Sequence, residues 1–227
     1  MRIDKYISDL KIERRSMTKK FLENHQVLIN GKRIKSPSST FEPSQDELTI
    51  DEKIIPFIKD MHLALYKPSG YLSARKDEIH QTVFSLIKSP YDRFDFKIAG
   101  RLDLDAEGLL ILTTDGQFVH EITHPKKHLD KIYEVTLDRI FIESDTLLHG
   151  ITIKDEFNQP YLAKAKHLIV EDKVVTLTID MGKFHQVKRM FQSLGYDVIK
   201  LKRTNIGHLD LRDLNVGEYY PFRKEEL

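Results

Sequence analysis

The sequence predicts an α+β protein in which a small helix-helix-hairpin domain precedes a larger domain of mixed, mostly antiparallel strands. Three observations predict it. The first 35 residues are basic and helically patterned, short strand-like runs recur after residue 60, and an acidic loop directly precedes one of those runs. We place the boundary near residue 60, which gives domains of 1–60 and 61–227 in a chain of 227 residues.

The N-terminal segment predicts two short helices followed by a hairpin. Ile3 and Ile7 recur with helical spacing, and a second amphipathic stretch follows Ser16, which we take as its N-cap. Asn30-Gly31 lies inside an alternating run, the pattern typical of a two-residue hairpin turn. Residues 35–47 are rich in Ser and Pro and predict a loop, and 48–60 predict a strand and a connector.

Charge is concentrated in this first segment. Residues 1–35 carry ten Lys or Arg against four Asp or Glu, a net charge of +6, whereas 36–60 carry a net charge of −4. Scattered charge usually marks a solvated surface, but its concentration in a compact unit favours phosphate binding. The residues expected to bind a phosphate backbone are Arg14, Arg15, Lys19, Lys20, Lys32 and Arg33.

The composition excludes several classes of protein. There is no cysteine, which excludes disulfides, thiolate catalysis and cysteine-ligated metals. No apolar run approaches the roughly 20 residues of a membrane helix. The charged N-terminus does not resemble a signal peptide, so we expect a cytoplasmic protein.

The larger domain alternates strands with few helices. Strand-like runs are HLALYK, LLILTT, IYEVTL and KVVTLTID, and Asp115-Gly116 is expected to form either a turn or the N-cap of a short helix that Pro125 ends. A second helix is expected within 182–195, ending at Gly195, with an apolar stripe that includes Phe184. Lys188 lies at the edge of that stripe and therefore needs a partner, because buried ammonium groups are seldom unpaired.

The acidic loop allows a metal hypothesis. Asp103, Asp105, Glu107 and Gly108 match the opening of a calcium-binding EF-hand loop, but its twelfth position is Thr114 where a bidentate glutamate is required. The missing ligand makes calcium binding by these acids a remote hypothesis.

A second metal hypothesis comes from 120–124, which matches the zinc motif H-E-x-x-H. The motif needs His120 and His124 on one continuous helix, and Pro125 disfavours helical geometry at His124. Glu143 is a conceivable third ligand, but surface polar residues are the better interpretation.

The third hypothesis is a carboxylate nucleophile beside Arg101, because an adjacent cation keeps an acid ionised. From this stretch alone, a loop of solvated surface acids is an equally good interpretation.

Five stretches in order carry a resemblance to a known family. They are YKPSGYLSA (66–74), AGRLDLDAEGLLILTTDG (99–116), KIYEVTL (131–137), GKFHQVKRMF (182–191) and LKRTNIG (201–207). Together they resemble the RsuA-type pseudouridine synthases, and the first sixty residues resemble the S4-like RNA-binding domain of that family. The resemblance implies a catalytic domain with a central cleft, and an enzyme that isomerises uridine in ribosomal RNA with no cofactor and no metal.

The resemblance also implies roles for residues at matching positions. Asp103 of GRLD would be the catalytic aspartate, attacking either C6 of the base or C1′ of the ribose. Tyr133 would stack on the flipped uracil, and Lys188 would pair with Asp103, supplying the partner that its position requires. The residues expected to contact the substrate are Arg101, which fills the space left by the flipped base, Leu201, His185 and Gln186. Asp105 and Glu107 are expected to be structural or solvated.

Two positions depart from the family pattern: Ala106 replaces a usual Thr, and Tyr66 replaces a common Asn. Neither removes a catalytic group. HQVKRM and the N-terminal domain resemble most closely the enzyme for small-subunit (16S) rRNA, so we expect a monomer that acts on RNA of the assembling small subunit. The alternatives are a large-subunit (23S) enzyme, a non-catalytic rRNA-binding assembly factor and, remotely, a zinc metalloprotease.

Overall fold

The computed structural model describes residues 1–55, 60–89, 91–124 and 129–227, and its contacts divide the chain into two compact units. The first unit contains Met1–Asp60 together with Ser89–Asp95, and the second contains Met61–Lys88 and Phe96–Leu227. Sequence patterning near residue 60 did not indicate that 89–95 belong with the first unit. Pro125, the expected end of a helix, lies outside the described residues. None of the described helices is long and apolar enough to cross a membrane.

The first unit packs two helices on a four-stranded antiparallel sheet. Its helices are α1 (Ile3–Asp9) and α2 (Thr18–Asn24), and its strands, in the spatial order β2-β1-β3-β4, are β1 (Val27–Ile29), β2 (Lys32–Arg33), β3 (Leu48–Ile50) and β4 (Lys53–Ile55). Ile3, Ile7 and Leu22 from the helices are buried against Val27 and Leu48 from the strands. Helical and alternating apolar periodicities therefore meet in one small core.

Two turns of this unit decide its strand pairing. Asn30 and Gly31 have φ of 48° and 75°, which confirms the predicted two-residue hairpin between β1 and β2. Asp51 and Glu52 also have positive φ, 46° and 67°, and join β3 to β4. The expectation of a strand and a connector over 48–60 was therefore wrong at 53–55, which form a second strand.

Ser16 is not the N-cap that the sequence indicated. It lies inside a 3₁₀ turn, Arg15–Met17, and α2 follows that turn with Met17 at the cap position and no side-chain capping bond. A 3₁₀ turn that continues into an α-helix gives its first amides local partners, so the capping hydroxyl is not needed there.

The second unit is built on a sheet of nine described strands, mostly antiparallel as predicted. Along the sheet the main order is β11-β12-β8-β13-β7-β5-β15, with β6 paired to β7 and β14 to β13. The strands are β5 (His62–Lys67), β6 (Lys97–Ala99), β7 (Glu107–Thr113), β8 (Lys131–Leu137), β11 (His167–Glu171), β12 (Val174–Ile179), β13 (Val198–Ile206), β14 (Leu209–Asp210) and β15 (Tyr219–Pro221). A separate two-stranded hairpin contains β9 (Ile151–Lys154) and β10 (Pro160–Ala163).

One pairing in this sheet is parallel and places two distant segments side by side. β13 runs parallel to β7, with Arg203 opposite Gly108. A Cβ on Gly108 would lie 2.2 Å from the backbone oxygen of Arg203, and the φ of Gly108 is 117°. Only glycine allows this close approach of the strand that follows the acidic loop.

Three described helices accompany the sheet: α3 (Gly116–Thr123), α4 (Ser144–His149) and α5 (Gln186–Ser193). Asp115 caps α3 as predicted, because its side chain accepts a hydrogen bond of 2.8 Å from the backbone N–H of Gln117. On α3, Phe118 and Ile122 are buried in a cluster with Leu109 and Ile111 of β7. This packing fixes the strand that leaves the acidic loop.

The prediction of an apolar helical stripe within 182–195 was wrong at its first residue, Phe184. Helix α5 begins only at Gln186, because His185 adopts a left-handed conformation with φ of 51°. Phe184 therefore lies before the helix and is 41% exposed, whereas Met190, inside the helix, is fully buried. The helix starts directly after an irregular segment, and residues 182–185 of that segment line a groove.

Candidate active site

The acidic loop is held by its backbone. It connects β6 to β7, and two fully or almost fully buried cations, Lys67 of β5 and Arg203 of β13, bind its carbonyl oxygens. The Lys67 ammonium donates to the carbonyls of Ala106 at 2.6 Å, Leu104 at 3.3 Å and Pro68 at 2.9 Å. Three acceptors satisfy all three N–H groups of a lysine. Burial nevertheless lowers the pKa of Lys67 to about 8, against the opposing effect of Asp103.

Arg203 holds the other end of the loop. Its guanidinium donates to the carbonyls of Gly100 at 3.0 Å, Arg101 at 3.5 Å and Leu109 at 2.8 Å, and lies 3.5 Å from the hydroxyl of Tyr133. One side chain therefore fixes both the entry to the loop and the ring of Tyr133.

Smaller groups complete the fixation of the loop. The Ser73 hydroxyl donates to the carbonyl of Leu102 at 2.8 Å and accepts from its N–H at 3.2 Å. The hydroxyl of Ser69 donates to the carbonyl of Asp105, and the N–H of Gly70 donates to that of Leu104. Asp103 thus projects from a segment with few remaining degrees of freedom, the condition for a precisely oriented carboxylate.

Asp103 faces the start of α5. Its Oδ2 lies 3.4 Å from Nζ of Lys188, and its Oδ1 lies 3.2 Å from Nε2 of His185. Both side chains of the lysine–aspartate pair are partly shielded, with 24% of Asp103 and 17% of Lys188 exposed. The partner that Lys188 required from its position is therefore present in the structure.

Asp105 is largely exposed and also forms an ion pair with Lys188. Its Oδ1 lies 2.5 Å from Nζ of Lys188, closer than either oxygen of Asp103, although 74% of its side chain is exposed. Partial burial would raise the pKa of Asp105, but the hydrogen bond and charge of Lys188 outweigh it and hold that pKa below its ordinary value. Lys188 is thus shared between two carboxylates.

Glu107 and Tyr66 form a separate contact at the base of β7. The carboxylate of Glu107 accepts from the Tyr66 hydroxyl at 3.1 Å and lies 3.0 Å from Nζ of Lys200. Glu107 is therefore structural. The hydroxyl of Tyr66, the residue that departs from the family pattern, has a defined partner.

A cavity of about 190 Å³ opens beside Asp103. Its wall brings together Arg101, Asp103, Tyr133, His185, Gln186 and Leu201. β8 and β13 place two of them, because Tyr133 pairs with Arg203 and Leu201 with Val135 across those strands. Of the catalytic and substrate-binding candidates from the sequence, Lys188 alone does not line the cavity and reaches it through Asp103.

The side-chain amide of Gln186 is buried at the wall of this cavity. Its Oε1 accepts from the backbone N–H of Lys183 at 3.1 Å, whereas its buried Nε2 has no hydrogen-bond partner in the part of the chain that the structure describes. Gln186 therefore ties the start of α5 to the segment before it.

Sequence reasoning missed three buried cations at the site: Lys67, Arg203 and Lys131. Lys131 lines the cavity, donates to the carbonyl of Leu129 at 2.7 Å, and has its pKa lowered to about 8 by burial and by the charge of Arg203. All three lie within the family motifs and belong to strands β5, β8 and β13. A lysine or arginine inside a strand-like run was the available signal, since such residues are rarely buried unless they are paired.

The six basic residues of the first unit differ in availability. Arg14, Lys19, Lys20, Lys32 and Arg33 are exposed. Arg15 is also exposed, but its Nε lies 3.1 Å from Oδ2 of Asp4. Hydrogen bonds from Arg2 and Arg15 lower the pKa of the Asp4 carboxyl to about 2, the one from Arg2 first and against the opposing effect of burial.

The zinc motif lacks the helix that it needs. Helix α3 ends at Thr123, and His124 has an extended conformation, with φ of −70° and ψ of 124°. Glu121 lies 2.7 Å from Lys224 in an ion pair. Within the described ranges, no three His, Asp or Glu side chains are grouped in a way that could hold a metal ion.

Comparison with known proteins agrees with this fold. Residues 61–193 match the family model described as RNA pseudouridylate synthase, and residues 1–47 match the S4 domain. The matches define an RNA uridine isomerase with an N-terminal S4 domain. The chain belongs to the RsuA-type family of RNA pseudouridine synthases.

Curated relatives align over the full length. The ribosomal small subunit pseudouridine synthase A of Yersinia pestis is 35% identical, with 100% of this chain and 97% of the relative covered. An RNA pseudouridine synthase of Bacillus subtilis is 36% identical over the same shares. A crystal structure of a pseudouridylate synthase, 35% identical, has a TM-score of 0.66 and covers 100% of this chain and 97% of its own.

We expect Lys67→Met to lower the free energy of unfolding of the catalytic domain by about 2–4 kcal/mol. The reason is that the carbonyl groups now bound by Lys67 would lose their hydrogen-bond donor. Urea unfolding followed by circular dichroism measures the change. The matched control is Lys173→Met, at an exposed lysine in the turn between β11 and β12, which should change stability by less than about 0.5 kcal/mol. Equal unfolding midpoints for both variants would mean that the loop does not depend on Lys67.

Proposed function

We propose that this enzyme isomerises a uridine of small-subunit ribosomal RNA to pseudouridine, and that it works in the cytoplasm as a monomer on RNA of the assembling subunit. The observation that carries the chemistry is the ionic contact of Asp103 with Lys188 at the edge of a cavity that Tyr133 and Leu201 also line. The small subunit is favoured by the names of full-length relatives from Yersinia pestis, Haemophilus influenzae and Escherichia coli.

The reaction needs a uridine that has left its stack. Unstacking costs a few kcal/mol, so the enzyme must offer compensating contacts. Exposed Arg101 lies at the cavity and is positioned to fill the vacated space, while the ring of Tyr133 and the side chain of Leu201 provide flat and apolar contacts for the base.

Asp103 is the proposed nucleophile. It forms a bond to C6 of the base or to C1′ of the ribose, the N1–C1′ bond breaks, and C5 bonds to C1′. The bond to Asp103 breaks in turn and frees the carboxylate, and the proton lost from C5 is balanced by protonation of N1. Tyr133 is placed to assist removal of that proton. Lys188 lies against one oxygen of the Asp103 carboxylate and His185 against the other, so that the two side chains hold its direction.

The N-terminal unit is proposed to supply affinity and placement. Its exposed basic residues lie on a domain of a family that binds RNA, and none of the catalytic candidates lies within residues 1–60. Arg15 is expected to contribute less than its neighbours because it is also engaged by Asp4.

The function is tested by mapping pseudouridines chemically in ribosomal RNA from cells with and without this protein. We expect one small-subunit site to disappear without it and to return with the wild-type enzyme but not with Asp103→Asn. A missing site in large-subunit RNA would favour the alternative substrate. An unchanged map would favour a non-catalytic assembly factor and overturn the proposal.

Lys188→Met should lower single-turnover isomerisation at least about a hundredfold while RNA binding is retained, because the carboxylate loses its electrostatic support. Lys188→Arg should keep more activity, since the charge remains. Asp103→Asn combined with Lys188→Met should be no slower than the slower single variant, because the pair acts as a unit.

The control for this series is Lys166→Met, which removes a lysine that lies 2.6 Å from Asp130 in an ion pair and lines neither the cavity nor the adjoining groove. Its rate should equal that of the wild type. Wild-type turnover by Lys188→Met would instead make Lys188 an RNA-contacting residue with no role at Asp103.

Replacing Lys19 and Lys20 together by Ala should weaken binding to ribosomal RNA and reduce the slope of log affinity against log salt by about 0.7 for each lost single-strand phosphate contact. Filter binding over a salt series measures it. The control, Lys166→Ala with Lys173→Ala, removes the same charge from the second unit. Identical slopes for both pairs would argue against phosphate contacts by the first unit.

A further inference from the structure

A groove of about 1060 Å³ adjoins the catalytic cavity. The two share Arg101, Asp103 and His185 as wall residues, so the groove begins where the cavity opens. Its wall also contains Phe157, in the turn between β9 and β10, and Phe184, just before α5.

Both rings are unusually exposed. Phe157 is 74% exposed and Phe184 is 41% exposed, whereas the other phenylalanines of the described residues are buried or half-buried. Single exposed apolar residues are ordinary, but here the two exposed phenylalanines both line one groove beside the active site. Large apolar surface concentrated at such a place marks a binding site.

The turn that carries Phe157 is anchored to the segment that carries Phe184. Nζ of Lys183 lies 3.5 Å from Oδ2 of Asp155 and 3.9 Å from the centre of the Tyr161 ring. The guanidinium of Arg189 donates to the carbonyl of Lys154 at 2.6 Å. The hairpin and the segment before α5 therefore form one wall.

Local contacts also hold the backbone at Phe157 and the ring of Phe184. The carboxylate of Asp155 accepts from the backbone N–H of Phe157 at 3.0 Å. Phe184 stacks on His185 with ring centres 3.7 Å apart, and the Arg189 guanidinium lies 5.1 Å from the centre of the Phe184 ring. Because one neighbour of Phe184 is the histidine on Asp103, the aromatic wall continues directly into the catalytic group.

We propose that this groove is a subsite for the unpaired nucleobase next to the flipped uridine. In this subsite the neighbouring base stacks on Phe157 and contacts Phe184. The inference rests on the proposed function in one respect, the entry of a uridine into the cavity. An RNA strand continues on both sides of that uridine, so a neighbouring nucleotide must lie at the mouth of the cavity. Aromatic rings stack on any unpaired base, and Arg101 and Lys183 are the cations that line the groove, beside the acids Asp155 and Glu156.

The test uses binding and requires no turnover. The full-length protein carrying Asp103→Asn is titrated with a seven-nucleotide RNA that has one central uridine, 2-aminopurine on each side of it and cytidines beyond. Stacking on the wall should quench the 2-aminopurine fluorescence. Adding Phe157→Leu should remove most of the quenching and weaken binding by a factor of about 5 to 100, the range for loss of one stacked base.

A matched RNA with abasic riboses in place of both 2-aminopurines separates stacking from other effects. Phe157→Leu should bind this RNA as tightly as the parent protein does. Phe157→Tyr should restore quenching and affinity on the first RNA, and Ile169→Ala, which changes an exposed apolar residue that lines neither cavity nor groove, should alter neither. Phe184→Leu is expected to reduce the quenching in the same way.

The subsite is overturned if Phe157→Leu and Phe184→Leu bind and quench like the parent, or if they lose the same factor on both RNAs. Because the readout is binding, it can be interpreted whether or not ribosomal RNA proves to be the substrate. A failure of pseudouridine mapping would count against the proposed function and leave this result readable.

Discussion

The arrangement of this active site depends on two buried cations that bind backbone carbonyls. Lys67 and Arg203 reach the acidic loop from two different strands and hold it at both ends. Removing a charge from water is costly unless each donor is satisfied, and here the loop itself supplies the acceptors. The cations and the loop therefore require each other: without the loop the charges would be unpaired, and without the charges the loop would have free carbonyls.

Fixing the loop through its backbone leaves the carboxylates free for chemistry. The side chain of Asp103 contacts Lys188 and His185, which belong to another segment of the chain. Asp105 shares Lys188 and remains largely exposed. Lys188 and the two carboxylates carry a net charge of −1 as a group, and Arg101, an exposed cation, lines the cavity beside Asp103.

The functional segments are far apart in sequence, and strand pairing in the sheet brings several of them together. Tyr133 and Arg203 are 70 residues apart and lie opposite each other on paired strands, and Gly108 lies beside Arg203 on the next strand. Periodicity identified most of these strands, since alternation is a local property. It contained no information on which strand pairs with which, so Arg203 could not be recognised as a member of the site.

The sequence by itself determined the class of fold, the hairpin at Asn30-Gly31, the cap at Asp115 and the need of Lys188 for an acidic partner. Each is a local consequence of turn geometry, capping or amphipathic spacing. The motifs also singled out Asp103 and Tyr133. Local signals failed at Ser16 and Phe184, where a 3₁₀ turn and a left-handed residue shifted the helix starts.

Only the tertiary structure decided that Asp105 shares Lys188, that Lys67 and Arg203 clamp the loop, and that Phe157 and Phe184 line one groove. The contact between Lys188 and Asp105 joins residues 83 positions apart, and that between Arg203 and Gly100 joins residues 103 positions apart. The geometry of such contacts depends on strand pairing and burial, which no local pattern encodes.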